Sequence, residues 1–329
     1  MSDLDLNSSR IVLVVTGPTA VGKSEIAVEI ARQVPSVLIS MDSALVYRGM
    51  DIGTAKPGPE LLQAYPHALV NIRDPANPYS AAEFVRDADA LVIQARAAQR
   101  LPILVGGSMM YLRAFRDGLA ELPGADVQIR AGIAREASSR GWAALHQELV
   151  EVDPEAAADI HPNNPQRLQR ALEVYRITGR PISDFWNAQS DAAFGHRLGG
   201  DLRVAGVIPD DRSRLHLRIG ERFSQMLEQG LIAEVKALKE RGDLSAELPS
   251  MRAVGYRQVW DFLEGAFPAS QLYERGAAAT RQLAKRQLTW LRGWSWVNFF
   301  QWGDSRQLAT AILRHIQEDP APRGHLELS

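Results

Sequence analysis

Two rhythms of apolar residues alternate along the first third of the chain, and a single rhythm dominates the rest. Ile11 to Thr16 is an unbroken apolar, β-branched run, the signature of a buried strand. Ile26, Ala27, Ile30 and Ala31 then recur at helical spacing. Pro35 interrupts, and Val37 to Met41 returns to strand character, ending on Asp42-Ser43. Residues 44–60 carry no period and many breakers, among them Gly49, Gly53, Pro57, Gly58 and Pro59, so a long irregular loop is expected there. Leu69 to Ile72 reads as a short strand. Ser80, with Glu83 three residues on, forms a capping box for a helix running to about Arg100. Leu101 to Val105 is the next strand, and Gly106-Gly107-Ser108 leaves its carboxyl end. Strands alternating with helices as far as residue 112 imply a parallel sheet.

The alternation stops at Leu122-Pro123-Gly124. From Ala125 to about Gly199 the pattern is helical throughout, with Asp126, Asp153-Pro154 and Asn164-Pro165 as starts and Gly141 and Gly179 as stops. Arg203 to Ile208 is again a strand. Arg212 to Gln229 is a long amphipathic helix burying Leu215, Ile219, Phe223, Met226 and Leu227, and Gly230 stops it. Trp296 to Phe300 is a last edge strand. The fold class expected is α/β: a parallel-sheet core from residues 1–123 and 200–329, flanked by helices, a small all-helical insertion at 124–199, and a helical C-terminal region. The tail after Pro320 is rich in Pro and charge and is expected to fray.

The first strand and helix enclose Gly17-Pro18-Thr19-Ala20-Val21-Gly22-Lys23-Ser24, which reads G-x-x-x-x-G-K-S. Strand, glycine loop and helix is the context in which this pattern binds phosphate. Gly17 and Gly22 let backbone N–H groups close around phosphate oxygens, and the helix N-terminus adds its positive end. Lys23 supplies a mobile point charge and the Ser24 hydroxyl a ligand for Mg²⁺. A bound di- or triphosphate follows. Which phosphate compound, and what happens to it, the loop leaves open.

Composition narrows the classes. The 329 residues are 46% hydrophobic and 23% charged, ordinary for a globular protein. No apolar run approaches the ~18 residues of a membrane span. The acidic, polar start Met1-Ser2-Asp3-Leu4-Asp5 is no signal peptide, and the absence of cysteine removes disulfides and thiolate metal sites. A cytoplasmic monomer is expected. Net charge is −2, so a nucleic-acid partner must be held by local basic patches.

Three such patches exist. Arg275 to Trp294 contains Arg281, Lys285, Arg286 and Arg292, no acidic residue, and tryptophans at Trp290 and Trp294 with Trp296 just beyond. Gln166-Arg167-Leu168-Gln169-Arg170 places Arg167 and Arg170 three apart on a helix, and Arg252 and Arg257 flank Gly255-Tyr256. Each alone reads equally as a solvated helix face; three in a slightly acidic chain favour a polyanion. Asp42, at a strand's carboxyl end beside the phosphate loop, reads either as a Mg²⁺-side aspartate or as a general base. Ser108 reads as a hydrogen-bond donor into the same crevice or as a helix N-cap.

Read together, Gly17 to Ser24, Asp42 to Pro57, Gly106-Gly107-Ser108, Gln166 to Arg170, Arg252 to Gln258 and Thr280 to Trp294 resemble the tRNA dimethylallyltransferase family, in order from about residue 11 to about 300. The Asp42–Pro57 block is specific to that family. The resemblance implies transfer of a five-carbon prenyl group from dimethylallyl diphosphate to N6 of the adenine 3′ of the anticodon, in tRNAs reading codons that begin with U. It implies that the loop from Gly17, Pro18 and Thr19 through Ala20, Val21, Gly22, Lys23 and Ser24 holds the diphosphate, with Mg²⁺ as cofactor. By the same likeness Asp42 is the base for the N6 proton, and Ser108 and Arg218 assist the leaving diphosphate, with Arg214 and Arg222 nearby as alternatives to Arg218. Asp42, Ser43, Ala44 and Leu45 would grip the target base, with Ser108 beside them. Arg130, Gln166, Arg167, Leu168, Gln169 and Arg170 would brace the anticodon loop from one side. Arg252, Ala253, Val254, Gly255, Tyr256, Arg257, Arg281, Lys285, Arg286, Gln287 and Arg292 would do so from the other. The family commonly has Thr where this chain has Ser108; the hydroxyl survives, and without the methyl its rotamer is freer.

Two other readings fit a phosphate loop. A small-molecule kinase would use Asp42 to activate a hydroxyl and would leave the basic patches idle. A nucleic-acid-binding ATPase would need a water-positioning residue and arginine fingers that the sequence does not assign.

Overall fold

Val12 to Thr16 are buried, so the first strand, β1 (Ile11–Thr16), sits inside its sheet. The computed structural model describes residues 10–120, 122–187 and 193–318; the tail after Pro320 lies outside them. Five further strands join β1: β2 (Ser36–Ser40), β3 (His67–Ala68), β4 (Leu101–Val105), β5 (Asp201–Ile208) and β6 (Asn298–Gln301). Their order is β3-β2-β4-β1-β5-β6, and every pairing is parallel. From β1 the chain first builds toward β3 on one side and later returns to add β5 and β6 on the other. The loop after β1 therefore leaves the sheet at its switch point, where open α/β sheets bind ligands.

The helices are α1 (Lys23–Gln33), α2 (Pro59–Ala64), α3 (Ala81–Ala97), α4 (Met109–Asp117), α5 (Val127–Arg140), α6 (Trp142–Val152), α7 (Pro154–Asp159), α8 (Pro165–Thr178), α9 (Ile182–Asn187), α10 (Phe194–Arg197), α11 (Arg212–Glu228), α12 (Leu231–Glu240), α13 (Tyr256–Leu263), α14 (Leu272–Arg292) and α15 (Ser305–Glu318). Leu13 and Val15 of β1 share one core cluster with Ile26 and Ile30 of α1 and Ile312 and Ile316 of α15. Each such buried side chain contributes about 1.5–3 kcal/mol. The capping box on α3 forms as its sequence dictates: Ser80 accepts the Glu83 N–H, and Glu83 reaches back to the Ser80 N–H.

The chain forms two compact units, one running to Ala114 and resuming at Leu198, the other Phe115–Arg197. The second unit is helical. Asp126 caps α5 on the N–H groups of Gln128 and Ile129, Asn164 caps α8, and Gly179 ends α8 at φ 69°. Its core joins Ile133, Leu145, Leu149, Leu168, Leu172 and Ile182. The buried Glu173 carboxylate is satisfied by Arg130, Arg170 and the Asp126 N–H. In the first unit, α11 turns Leu215, Ile219, Phe223 and Met226 inward, as its spacing requires. Gly276 of α14 lies against the Phe223 ring, where a Cβ would come within 1.9 Å, so α11 and α14 run in close contact.

Two strands are displaced from their expected positions. β3 is His67–Ala68, and Leu69 and Asn71 adopt φ of 65° and 59°, a backbone that cannot continue a ladder. The apolar run 69–72 instead turns: the Asn71 N–H donates to Leu45 O and its side chain accepts from Lys56. β6 begins at Asn298, because Trp294 and Trp296 stack on each other, centroids 4.6 Å apart, in the turn before it.

Candidate active site

The phosphate loop is shaped by close approach. A Cβ on Gly17 would lie 2.4 Å from Val207 O of β5, so only glycine lets the loop pass there. Ala20 (φ 70°) and Gly22 (φ 80°) both take left-handed backbone. Among the described residues, the N–H groups of Ala20, Val21 and Gly22 find no acceptor within the chain. Unpaired amides turned this way form an anion nest at the start of α1. The Lys23 ammonium donates to Pro18 O at 2.8 Å. Burial pushes its pKa down to about 8; the Asp42 carboxylate opposes that shift and Arg222 adds to it.

Asp42 reaches the loop's edge because β2 and β4 end almost in contact. A Cβ on Gly106 would sit 2.0 Å from Met41 O, and Ser108 N–H donates to that same carbonyl. Oδ1 of Asp42 accepts the N–H of Ala44 at 2.9 Å and of Leu45 at 3.4 Å, fixing an Asx turn. Oδ2 makes no bond within the described chain. Ser108 Oγ accepts the Ser43 N–H at 2.9 Å and lies 3.2 Å from Ser43 Oγ.

Two hollows meet here. One, of about 870 Å³, is walled by the phosphate loop, Asp51 to Pro59, Arg218 and Arg222. The other, of about 550 Å³, is lined by Ser43, Ser108, Phe223, Arg252 to Gly255, Arg286 and Trp290. Thr19, Ala20, Asp42, Thr54, Arg222 and Met226 border both. The first hollow, here called the phosphate chamber after the loop that walls it, opens onto a second cleft with more apolar than polar lining, and a carboxylate stands at the junction. Ser108 lines the second cleft only, where its hydroxyl braces Ser43.

Three of the arginines of α11 separate clearly. Arg214 lies 4.3 Å over the Trp302 ring and borders neither hollow. Arg218 borders the phosphate chamber, 5.2 Å over Trp302 and 3.8 Å from Glu25. Arg222 borders both hollows, has no ion-pair or hydrogen-bond partner among the described residues, and has its pKa lowered chiefly by burial. Sequence reasoning singled out Arg218; the i,i+4 spacing that stacks Arg222 one turn further along the same face was the signal for the second arginine.

The expected RNA-contacting residues fall into three groups. Leu168, Tyr256 and Gln287 are buried in the protein, because helical periodicity turns them into cores. Leu168 packs in the helical unit. Gln287 accepts the Thr19 N–H and donates to Gly107 O, each at 2.8 Å, so it holds the phosphate loop against β4's exit rather than facing a polyanion. Five arginines are engaged internally: Arg130 and Arg170 with Glu173, Arg257 with Asp261 and Glu247, Arg281 with Glu274, and Arg167 3.7 Å from Asp159. Gln169 donates to Arg130 O, and Gln166 is exposed. Arg252, Lys285, Arg286 and Arg292 are exposed with no side-chain partner among the described residues. Arg252 and Arg286 border the apolar cleft, beside Ala253, Val254 and Gly255.

Free cations release more counterion on binding than cations already neutralised. Arg252→Ala, Lys285→Ala and Arg292→Ala are therefore expected to weaken RNA binding and flatten its salt dependence, by about 0.7 in slope per phosphate on single-stranded backbone. Arg281→Ala and Arg257→Ala should do so much less. Affinity measured at four salt concentrations checks both halves.

A parallel sheet with a glycine-rich loop at its switch point, a carboxylate at the mouth of a second cleft and free cations around that cleft suit an enzyme that transfers a group between two substrates. The description "IPP transferase" belongs to the family model that matches residues 45–294. The tRNA dimethylallyltransferase 2 of Hahella chejuensis is 51% identical over 315 residues, 93% of this chain and 95% of that one. The crystal structure of the full-length tRNA isopentenylpyrophosphate transferase of Bacillus halodurans is 36% identical, with a TM-score of 0.67 over 94% of this chain and 95% of that one. A eukaryotic dimethylallyltransferase acting on tRNA is 25% identical, with a TM-score of 0.76 over 95% of this chain and 81% of that one. The chain belongs to the IPP transferase family. No helix among the described residues is long and apolar enough to cross a membrane.

Proposed function

We propose that this chain is a tRNA dimethylallyltransferase, moving the dimethylallyl group from dimethylallyl diphosphate to N6 of the adenine 3′ of the anticodon in tRNAs that read U-starting codons. The observation that carries this reading is the junction at Asp42, bordered by a phosphate chamber on one side and an apolar cleft rimmed by unpaired cations on the other. The donor diphosphate lies on the amides of Ala20 to Gly22, with Lys23, Arg222 and Arg218 around it. Its prenyl chain reaches toward Met226, which both hollows share. The target adenine leaves its stack, at a few kcal/mol, and enters through the apolar cleft. Contacts to the unpaired anticodon loop offset that cost.

N6 attacks C1 of the prenyl group; the C–N bond forms as the C–O bond to diphosphate breaks. Asp42 Oδ2 takes the N6 proton, while Oδ1 stays bound to its own turn. The diphosphate departs with the bonding electron pair, and preorganised N–H donors, Lys23 and Arg222 stabilise the charge it gains. The Ser24 hydroxyl, which has no hydrogen-bond partner among the described residues, and the neighbouring diphosphate oxygens suit Mg²⁺, which favours oxygen ligands and substrate phosphates over an all-protein cage; bound there, it would neutralise phosphate charge. Ser24→Ala is expected to raise the Mg²⁺ concentration for half-maximal activity at least several-fold, measured at saturating donor.

The test is unmodified tRNA with dimethylallyl diphosphate and Mg²⁺, without ATP, followed by nucleoside mass spectrometry. One adenosine should gain a single prenyl mass. No modified nucleoside there, together with ATP turnover in a parallel assay that contains ATP and no RNA, would point to the kinase reading instead.

A further inference from the structure

The irregular loop that lines both hollows is held from outside by one carboxylate. Glu234, in the first turn of α12, accepts the N–H of Asp51 at 2.9 Å, of Ile52 at 2.8 Å and of Gly53 at 3.2 Å, and the hydroxyl of buried Tyr256. No cation pairs with it among the described residues. Three successive amides and a phenol instead surround it as they would a bound anion. The fit is tight: a Cβ on Gly53 would lie 2.5 Å from the Tyr256 ring and 2.7 Å from Leu231. Lys56 closes the same loop from within, donating to Tyr47 O at 2.8 Å and to Asp51. Thr54, next along, borders both hollows, and Tyr256 follows Arg252 to Gly255, which line the apolar cleft.

We propose that Glu234, with Tyr256, is a positioning residue that fixes the 51–56 loop as a wall of the phosphate chamber, so that donor binding depends on an anion-filled backbone nest remote from the phosphates. This rests on the donor reading above. A glutamine at 234 keeps one oxygen for two of these four donors and turns an NH₂ group to the other two, which it cannot accept. Glu234→Gln is therefore expected to raise the KM and the calorimetric Kd for dimethylallyl diphosphate at least tenfold. Its kcat should stay within threefold and its tRNA affinity within twofold. Tyr256→Phe, which removes one of four donors, should give a smaller rise in the same direction. Hydrogen exchange in the ligand-free protein should accelerate at the amides of 51–53 in Glu234→Gln, with β1 and α1 unchanged.

A merely structural role would lower the melting temperature and the active fraction, hence apparent kcat, without moving KM. Unaltered donor KM and Kd in a folded Glu234→Gln, or unaltered exchange at 51–53, would overturn the proposal. If the wild type fails to bind the donor, the donor reading falls, and with it the proposed consequence of the nest; the exchange measurement would still decide whether Glu234 holds the loop.

Discussion

Asp42→Asn should lower kcat by about 10²–10⁴-fold, the range for a lost general base. The substitution is selective because of how Asp42 is held. Its Oδ1 caps the N–H groups of Ala44 and Leu45, and an asparagine carbonyl can keep both bonds. The strand end and the loop after it should survive, so melting temperature and affinities for tRNA and donor should move little. Asp42→Ala removes the turn as well, and its loss should combine turnover with stability. Steady-state kinetics and thermal unfolding of the two variants separate these effects. Near wild-type turnover in Asp42→Asn would make the residue structural.

The second large effect belongs to the half-buried cations of the chamber. Lys23→Met and Arg222→Gln should each reduce kcat/KM for the donor by about 10²–10³-fold, as expected for a donor aimed at transition-state charge, roughly 2.7–4 kcal/mol. Lys23 carries a further signature. Burial lowers its pKa from 10.5 to about 8 in the ligand-free protein. Below pH 8 the ammonium is charged in both folded and unfolded chains and is held at a cost. That cost is relieved as pH rises from 8 toward 10.5. Lys23→Met should accordingly stabilise the ligand-free protein at pH 7, by about 1–3 kcal/mol given that the side chain keeps some exposure to the chamber. The advantage should shrink above pH 8. In the wild type, donor affinity should weaken as pH passes about 8. A Lys23→Met protein less stable than wild type at pH 7 would contradict the buried-charge account.

Much of this site was legible in the chain because it is local. The phosphate loop, its strand and its helix are contiguous, and the capping box at Ser80–Glu83, the Asp126 and Asn164 caps and the stop at Gly179 formed where their residue types place them. What escaped is non-local. Gln287 looks like one more polar residue on a basic helix, and only the close seating of α14 sends it to Thr19 and Gly107. Glu234 looks like an ordinary acidic residue at a helix start; the three amides it accepts lie more than 180 residues earlier. Leu69 to Ile72 has strand composition, and the left-handed backbone at Leu69 and Asn71 overrides it. The basic patches were visible as charge; Arg130 meets Glu173 only because α5 packs on α8, whereas Arg170, Arg257 and Arg281 pair with acids on their own helices, Glu173, Asp261 and Glu274, a neutralisation that helical spacing already carried.

The meeting of two substrates at Asp42 from opposite hollows is the central expectation. Its most direct test is the structure of the protein bound to a thio-substituted, unreactive dimethylallyl diphosphate analogue and an unmodified anticodon stem-loop. The diphosphate is expected on the amides of Ala20 to Gly22, and the adenine in the cleft lined by Ser108 and Arg252 to Gly255. N6 should lie about 3–3.5 Å from the prenyl C1 and within hydrogen-bond reach of Asp42 Oδ2. A diphosphate bound away from the loop, or an adenine that enters through the phosphate chamber with Asp42 turned from N6, would contradict it.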